Sequence, residues 1–121
     1  MKRKIYNEML LWKQNAQGKS ALMIDGARRI GKSYIVEEFA KNEYKSYILV
    51  DFNNADDNLI EIFNKYLGNL DVFFSYLALY YNVTLYHRDT LIVFDEVQLY
   101  PKARAAIKYL VKDGCYDYIE T

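Results

Sequence analysis

Two short stretches hold residues whose types and spacing could do chemistry. The first reads Gly26-Ala27-Arg28-Arg29-Ile30-Gly31-Lys32-Ser33, which has the spacing Gly-x-x-x-x-Gly-Lys-Ser. Gly26 and Gly31 permit backbone dihedrals that a Cβ forbids, and they let the chain approach an oxygen closely. Successive amide N–H groups can then converge on a phosphate, helped by the positive end of a helix starting near Lys32. In that geometry the Lys32 ammonium neutralises β- and γ-phosphate charge, and the Ser33 hydroxyl ligates magnesium. A glycine-rich turn with a solvated lysine is the alternative. The flanks speak against it: an apolar run enters the stretch and an amphipathic pattern leaves it, as a strand–loop–helix phosphate cradle requires.

The second stretch is Thr90-Leu91-Ile92-Val93-Phe94 followed by Asp95-Glu96. A carboxylate at the tip of a buried strand is badly solvated unless it meets a cation or a donor. Asp95 would hold magnesium through water, and Glu96 would polarise an attacking water. Taken alone the pattern is unspecific, because many strands end in acids that only cap a helix. Downstream of the glycine loop, in this order, it completes a site for a nucleoside triphosphate with Mg2+. The expected cofactor-binding residues are thus Gly26 to Ser33, the metal ligands Ser33 and Asp95, and the catalytic groups Lys32 and Glu96. No Asn/Thr-Lys-x-Asp pattern for guanine is present, so ATP is the expected nucleotide.

Other polar residues read more plainly. Arg28 and Arg29 are expected to be solvated or locally paired, with contact to phosphate or a neighbouring subunit as the alternative. Gln98 reads as a helix-entry residue that could also orient water. His87, the only histidine, reads as a surface loop residue, and Cys115, the only cysteine, as a small buried or half-buried thiol.

The elements that must position these groups follow from periodicity. Ile5–Trp12 predicts an amphipathic helix. Ser20–Asp25 and Tyr47–Phe52 read as strands, and Lys32–Lys41 between them as a helix. Asp56 or Asp57 is placed to cap a helix over Leu59–Leu67 that stops at Gly68. Asp71–Tyr81 predicts a helix with Phe73, Phe74, Leu77 and Tyr80 or Tyr81 facing inward. Thr90–Phe94 is the most apolar strand. Pro101 should open a helix with Ala105, Ile107, Leu110 and Val111 inward, closed by Gly114, before a strand over Tyr116–Thr121. Strands alternating with helices imply a parallel, three-layer α/β sheet in one domain over residues 1–121.

Bulk properties bound the function. Sixteen basic and sixteen acidic side chains give zero formal net charge, which argues against direct nucleic-acid binding. No signal peptide follows the basic start, and no run spans a bilayer, so no membrane association and a cytoplasmic location are expected.

With both motifs in view, the chain resembles the additional-strand P-loop ATPases. More narrowly it resembles the AAA-like ATPases that usually carry a C-terminal DUF4143 domain. The likeness runs from Arg3, Tyr6, Leu10 and Trp12, through residues 26–33, to Phe-Asp-Glu-Val-Gln at 94–98. It implies a P-loop NTPase fold whose final strand, Tyr116–Thr121, inserts between the phosphate-loop strand and the Asp95 strand. That strand ends in a γ-phosphate sensor at or just beyond Thr121. It also implies Mg-dependent ATP binding and hydrolysis. The chain stops after its fourth strand, so the fifth strand, the arginine finger, the second sensor and the C-terminal domain of such ATPases are expected to be missing. A phosphate-loop strand left as an exposed edge would invite self-association. The competing expectations are an ATP-binding module without turnover and a subunit of a nucleic-acid-associated motor.

Overall fold

The computed structural model describes residues 2–24 and 32–121, with Lys2, Arg3 and Lys32 described by their backbone alone. Helix α1 (Lys2–Ala16) leads into strand β1 (Leu22–Met23), then α2 (Lys32–Glu43) and β2 (Ser46–Asp51). Helices α3 (Asp57–Tyr66) and α4 (Leu70–Tyr81) precede β3 (Thr90–Asp95). A single 3-10 turn (Val97–Leu99), helix α5 (Pro101–Asp113) and strand β4 (Asp117–Glu120) complete the order. The strands form one parallel sheet in the order β1-β4-β3-β2. The last strand is therefore inserted between the first and third, as expected for a P-loop NTPase-like α/β fold.

Each element has a local cause. Asp56 accepts from the Leu59 N–H at 2.9 Å and starts α3. Asn69 does the same for α4 at Val72, and Pro101 occupies the first turn of α5, where a missing N–H costs nothing. Gly114 ends α5 in the left-handed region at φ 78. Gly68 plays no such part, since α3 ends on Leu67 in ordinary right-handed geometry. The inward stripe of α5 also differs from expectation. Ala105 is exposed, and Ala103 and Ala106 are buried with Ile107 and Leu110, because only those positions share the face turned to the sheet.

Helices cover both faces of the sheet. On one, Ile48, Val50, Ile92, Phe94 and Tyr118 pack under α3, α4 and α5. On the other, Leu91, Val93 and Ile119 meet Met9 of α1 and Ile35, Val36 and Phe39 of α2. This alternation explains why β3 is apolar along its whole length: both of its faces are buried. β1 is shorter than the expected Ser20–Asp25. Its register with β4 runs over Leu22 and Met23, with the Ile24 N–H on the Glu120 carbonyl at 2.9 Å, and the Ser20 carbonyl is taken by the Trp12 indole N–H at 3.1 Å. Asp25 lies outside the described residues. Among the described residues no helix is long and apolar enough to cross a membrane.

The N-terminal ends of the strands are tied by one buried polar cluster. Asp117, 4% exposed, accepts from the Arg88 guanidinium at 2.5 Å and from the Tyr44 hydroxyl at 2.5 Å. Arg88 lies against Gly18, where an added Cβ would sit 2.5 Å from the guanidinium. A larger residue would have to displace the guanidinium and would be strained at φ 80. Burial, followed by the Asp117 hydrogen bond and charge, drives the Tyr44 pKa far above its usual value.

Asp117→Asn leaves a partly buried guanidinium without its counter-charge, and chemical denaturation should show a loss of about 3 kcal/mol. The hydroxyls of Tyr44, Tyr81 and Tyr118 all have pKa values raised chiefly by burial. Because the folded pKa exceeds the unfolded value of about 10, the native state holds these protons more tightly. Stability should thus be unaffected by these groups below roughly pH 10 and fall above it. Phenolate absorbance should show these three tyrosines ionising only together with unfolding.

Candidate functional site

Parallel strands present their C-terminal ends on one edge of a sheet, and sites gather there. β3 ends in Asp95, β4 runs into Thr121, and α2 begins at Lys32 beside them. The ladder continues past the formal strand ends. The Thr121 N–H donates to the Phe94 carbonyl at 3.0 Å, and the Glu96 N–H donates to the Thr121 carbonyl at 3.1 Å. These bonds hold Thr121 and Glu96 in fixed positions on either side of Asp95.

Asp95 collects two hydroxyls. Ser33 Oγ, from the first turn of α2, donates to Asp95 Oδ2 at 3.3 Å. Thr121 Oγ1 donates to Asp95 Oδ1. A hydroxyl 62 residues upstream and another 26 residues downstream are thereby joined on one carboxylate. Among the described residues no three His, Cys, Asp or Glu side chains gather. The oxygen set here is instead mixed, with one carboxylate and two hydroxyls, all hard donors of the kind Mg2+ accepts.

Glu96 follows in the left-handed region at φ 58 and ψ 40, a conformation that costs a side-chain-bearing residue about 1–2 kcal/mol. The turn is held by the Leu99 N–H on the Glu96 carbonyl at 3.0 Å. Gln98 Nε2 donates to Glu96 Oε1 at 2.6 Å. Gln98, read from sequence as a helix-entry residue or a water-orienting group, thus holds the Glu96 carboxylate. The neighbouring acid at the end of β2 is occupied differently. Asp51, in register with Asp95, accepts from the Asn53 N–H at 2.9 Å and Asn54 Nδ2 at 2.8 Å, which makes it a turn residue.

Gly26, Ala27, Arg28, Arg29, Ile30 and Gly31 lie outside the described residues, and Lys32 is described only as the start of α2. Of the groups expected from sequence, the structure brings together Ser33, Asp95, Glu96 and Gln98, and with them Thr121, at or just before the sensor position that the resemblance implies. His87 is exposed in the loop before β3, as expected, and Cys115 is half-buried after α5. Sequence reasoning missed Arg88, Tyr44 and Asp117, which act at the other end of the strands. The one available signal was an acid at the start of the final strand, directly before the apolar Tyr118 and Ile119.

A family model described as an AAA domain matches residues 18–121, leaving out the whole of α1 and with it the opening-helix part of the likeness. No curated protein and no solved structure matches the chain.

Glu96→Gly should relieve the left-handed strain and offset it only in part by the greater freedom of glycine in the unfolded chain. Thermal or denaturant unfolding should show a gain of about 0.5 kcal/mol, at the loss of the carboxylate from the site.

Proposed function

The chain belongs to the AAA domain family, and on that footing we propose that it binds ATP with Mg2+ and hydrolyses the γ-phosphate bond. The observation that supports this best is the convergence of Ser33, Asp95 and Thr121 at the C-terminal edge of the sheet, with Glu96 next in the chain. The oxygen donors fit magnesium, which keeps several waters and takes only one or two protein ligands beside substrate phosphates. When bound, the ion would withdraw charge from the β- and γ-phosphate oxygens.

The chain's own groups have these proposed roles. The amides of Gly26 to Gly31, including those of Ala27, Arg28, Arg29 and Ile30, would surround the phosphates. The Lys32 ammonium would bridge β- and γ-oxygens and stabilise the charge that develops on the leaving group. The Ser33 hydroxyl and Asp95 carboxylate would exchange their mutual hydrogen bond for the ion and its waters. Glu96 would accept a proton from the attacking water, oriented by the Gln98 amide. The Thr121 hydroxyl, tied to Asp95, would report whether a γ-phosphate is present.

The finer likeness, to ATPases with a C-terminal DUF4143 domain, rests on Arg3, Tyr6, Leu10 and Trp12 and on the motifs at 26–33 and 94–98. A cytoplasmic location is proposed separately, from a sequence without a signal-peptide pattern or a spanning run. Among the groups named, Glu96 is the one that hydrolysis needs and binding alone does not.

Titration with Mg-ATP should give a Kd for Lys32→Ala roughly 100-fold weaker than for the parent chain, from loss of a charged hydrogen bond to phosphate. Equal affinities would remove the loop from the proposal. Phosphate release should fall by roughly 100-fold or more in Glu96→Gln while binding is kept. A parent chain that binds ATP and releases no phosphate would reduce the function to binding.

A further inference from the structure

Helix α4 buries Phe73, Phe74 and Leu77 on one side and still turns aromatic residues to solvent on the other. Tyr76, 42% exposed, is one of these. Against it lies Tyr66, the half-buried last residue of α3, brought there by the short connection Leu67-Gly68-Asn69. The two rings stack with centroids 4.3 Å apart and planes only 11° from parallel. Their hydroxyl ends lie together, since the Tyr66 pKa is raised chiefly by the Tyr76 hydroxyl beside it. A cofacial, accessible pair of phenols has a chemistry that two separate tyrosines lack.

A phenol that loses one electron and its hydroxyl proton becomes a phenoxyl radical, with unpaired spin on the oxygen and on the ring carbons ortho to it. Two such radicals couple through orbitals that stand perpendicular to the rings, so the partners must meet face to face. Tyr66 and Tyr76 are already in that arrangement, and orientation of this kind replaces a chance encounter by a step within one molecule. A second tyrosine pair, Tyr80 with Tyr81, has its planes 72° apart and offers an edge to a face instead. The connection between the helices can yield to the closer approach that a bond requires. A Cβ placed at Gly68 would meet nothing within 4 Å, so no packing holds this turn. The Cys115 thiol is a poor competitor, because burial and Asp113 push its pKa up and keep it protonated.

We propose that Tyr66 and Tyr76 are an oxidative modification site, joined into a dityrosine by one-electron oxidants of the peroxidase class. Each phenol gives one electron to the oxidant and one proton to water. The two radicals pair their electrons in a carbon–carbon bond between the positions ortho to the hydroxyls. Each ring regains its aromaticity as the ortho C–H proton passes through water to its own oxygen. The balance is two electrons to the oxidant, two protons to water and a chain lighter by two hydrogens. The new bond ties the end of α3 to the middle of α4, the hairpin that covers Ile48, Ile92 and Phe94. Like any crosslink, it stabilises the fold by restricting the unfolded chain. No residue of the Ser33, Asp95 and Glu96 site takes part.

Photogenerated tris(bipyridine)ruthenium(III) with persulfate supplies such an oxidant to a dilute solution of the 121-residue chain. The monomer should gain the blue emission of a biaryl phenol and lose the mass of two hydrogens, and fragmentation should place the bond between Tyr66 and Tyr76. Tyr66→Phe and Tyr76→Phe keep the ring and should keep the parent circular dichroism spectrum. Each should lower the monomer's emission by roughly tenfold or more, since only the aligned pair couples without a chance encounter. Tyr80→Phe and Tyr109→Phe should leave it at the parent level, and the crosslinked parent should unfold at higher denaturant than the untreated chain. A parent monomer that gains no such emission overturns the proposal. So does emission that survives in Tyr66→Phe or Tyr76→Phe, or a bond that maps to another pair. Emission confined to covalent dimers also overturns it, assigning the coupling to collisions between exposed tyrosines such as Tyr34 and Tyr109.

Discussion

A carboxylate buried at the start of β4 is the constraint on which the rest of the sheet depends. A side chain as polar as that of Asp117 needs hydrogen-bond partners at 4% exposure, and those partners come from distant parts of the chain. Arg88 is supplied by the loop before β3, and Tyr44 by the turn before β2. Gly18, from the turn before β1, leaves room for the guanidinium. The loops preceding all four strands are thereby set relative to one another. A parallel sheet needs such a device, because none of its neighbouring strands is joined by a hairpin that would set the register.

The same strand carries the consequence to its other end. β4 is four residues long, so Asp117 and Thr121 are the two ends of one short rigid segment. Once Asp117 is seated, the pairing of Leu91 with Asp117 and Phe94 with Glu120 follows, and Thr121 arrives on Asp95. The cost at the site is visible one residue later, where Glu96 takes a left-handed backbone that apolar strand residues would not tolerate. The same left-handed backbone recurs at Arg88, φ 58, so both ends of the strands hold a strained residue within a hydrogen-bonded cluster.

Much of this was legible in the residues, for identifiable reasons. The parallel α/β class follows from short apolar runs alternating with amphipathic segments, and the caps at Asp56, Pro101 and Gly114 follow from backbone chemistry that acts locally. The pairing of Ser33 with Asp95 was legible because both groups belong to one chemical pattern with a required order. The insertion of β4 between β1 and β3 came from resemblance, since nothing in a strand's own sequence names its neighbours. The Arg88–Asp117–Tyr44 cluster was hidden for a related reason: its members lie 29 and 73 residues apart, and each has an ordinary surface reading alone. Ala105 was misplaced by one helical position because an alanine-rich stretch gives periodicity little contrast.

The bond from the Trp12 indole to the Ser20 carbonyl gives the molecule an optical property. Trp12 is the only tryptophan, it is half-buried on α1, and it grips the backbone two residues before β1. Its emission therefore comes from a single place, the root of the strand that leads into residues 26–33. Any event that pulls this strand away from α1 exchanges a carbonyl partner for water around one indole. The chain thus contains its own fluorescent gauge of how the first helix and the first strand are joined, without a label and without interference from thirteen weaker tyrosine emitters.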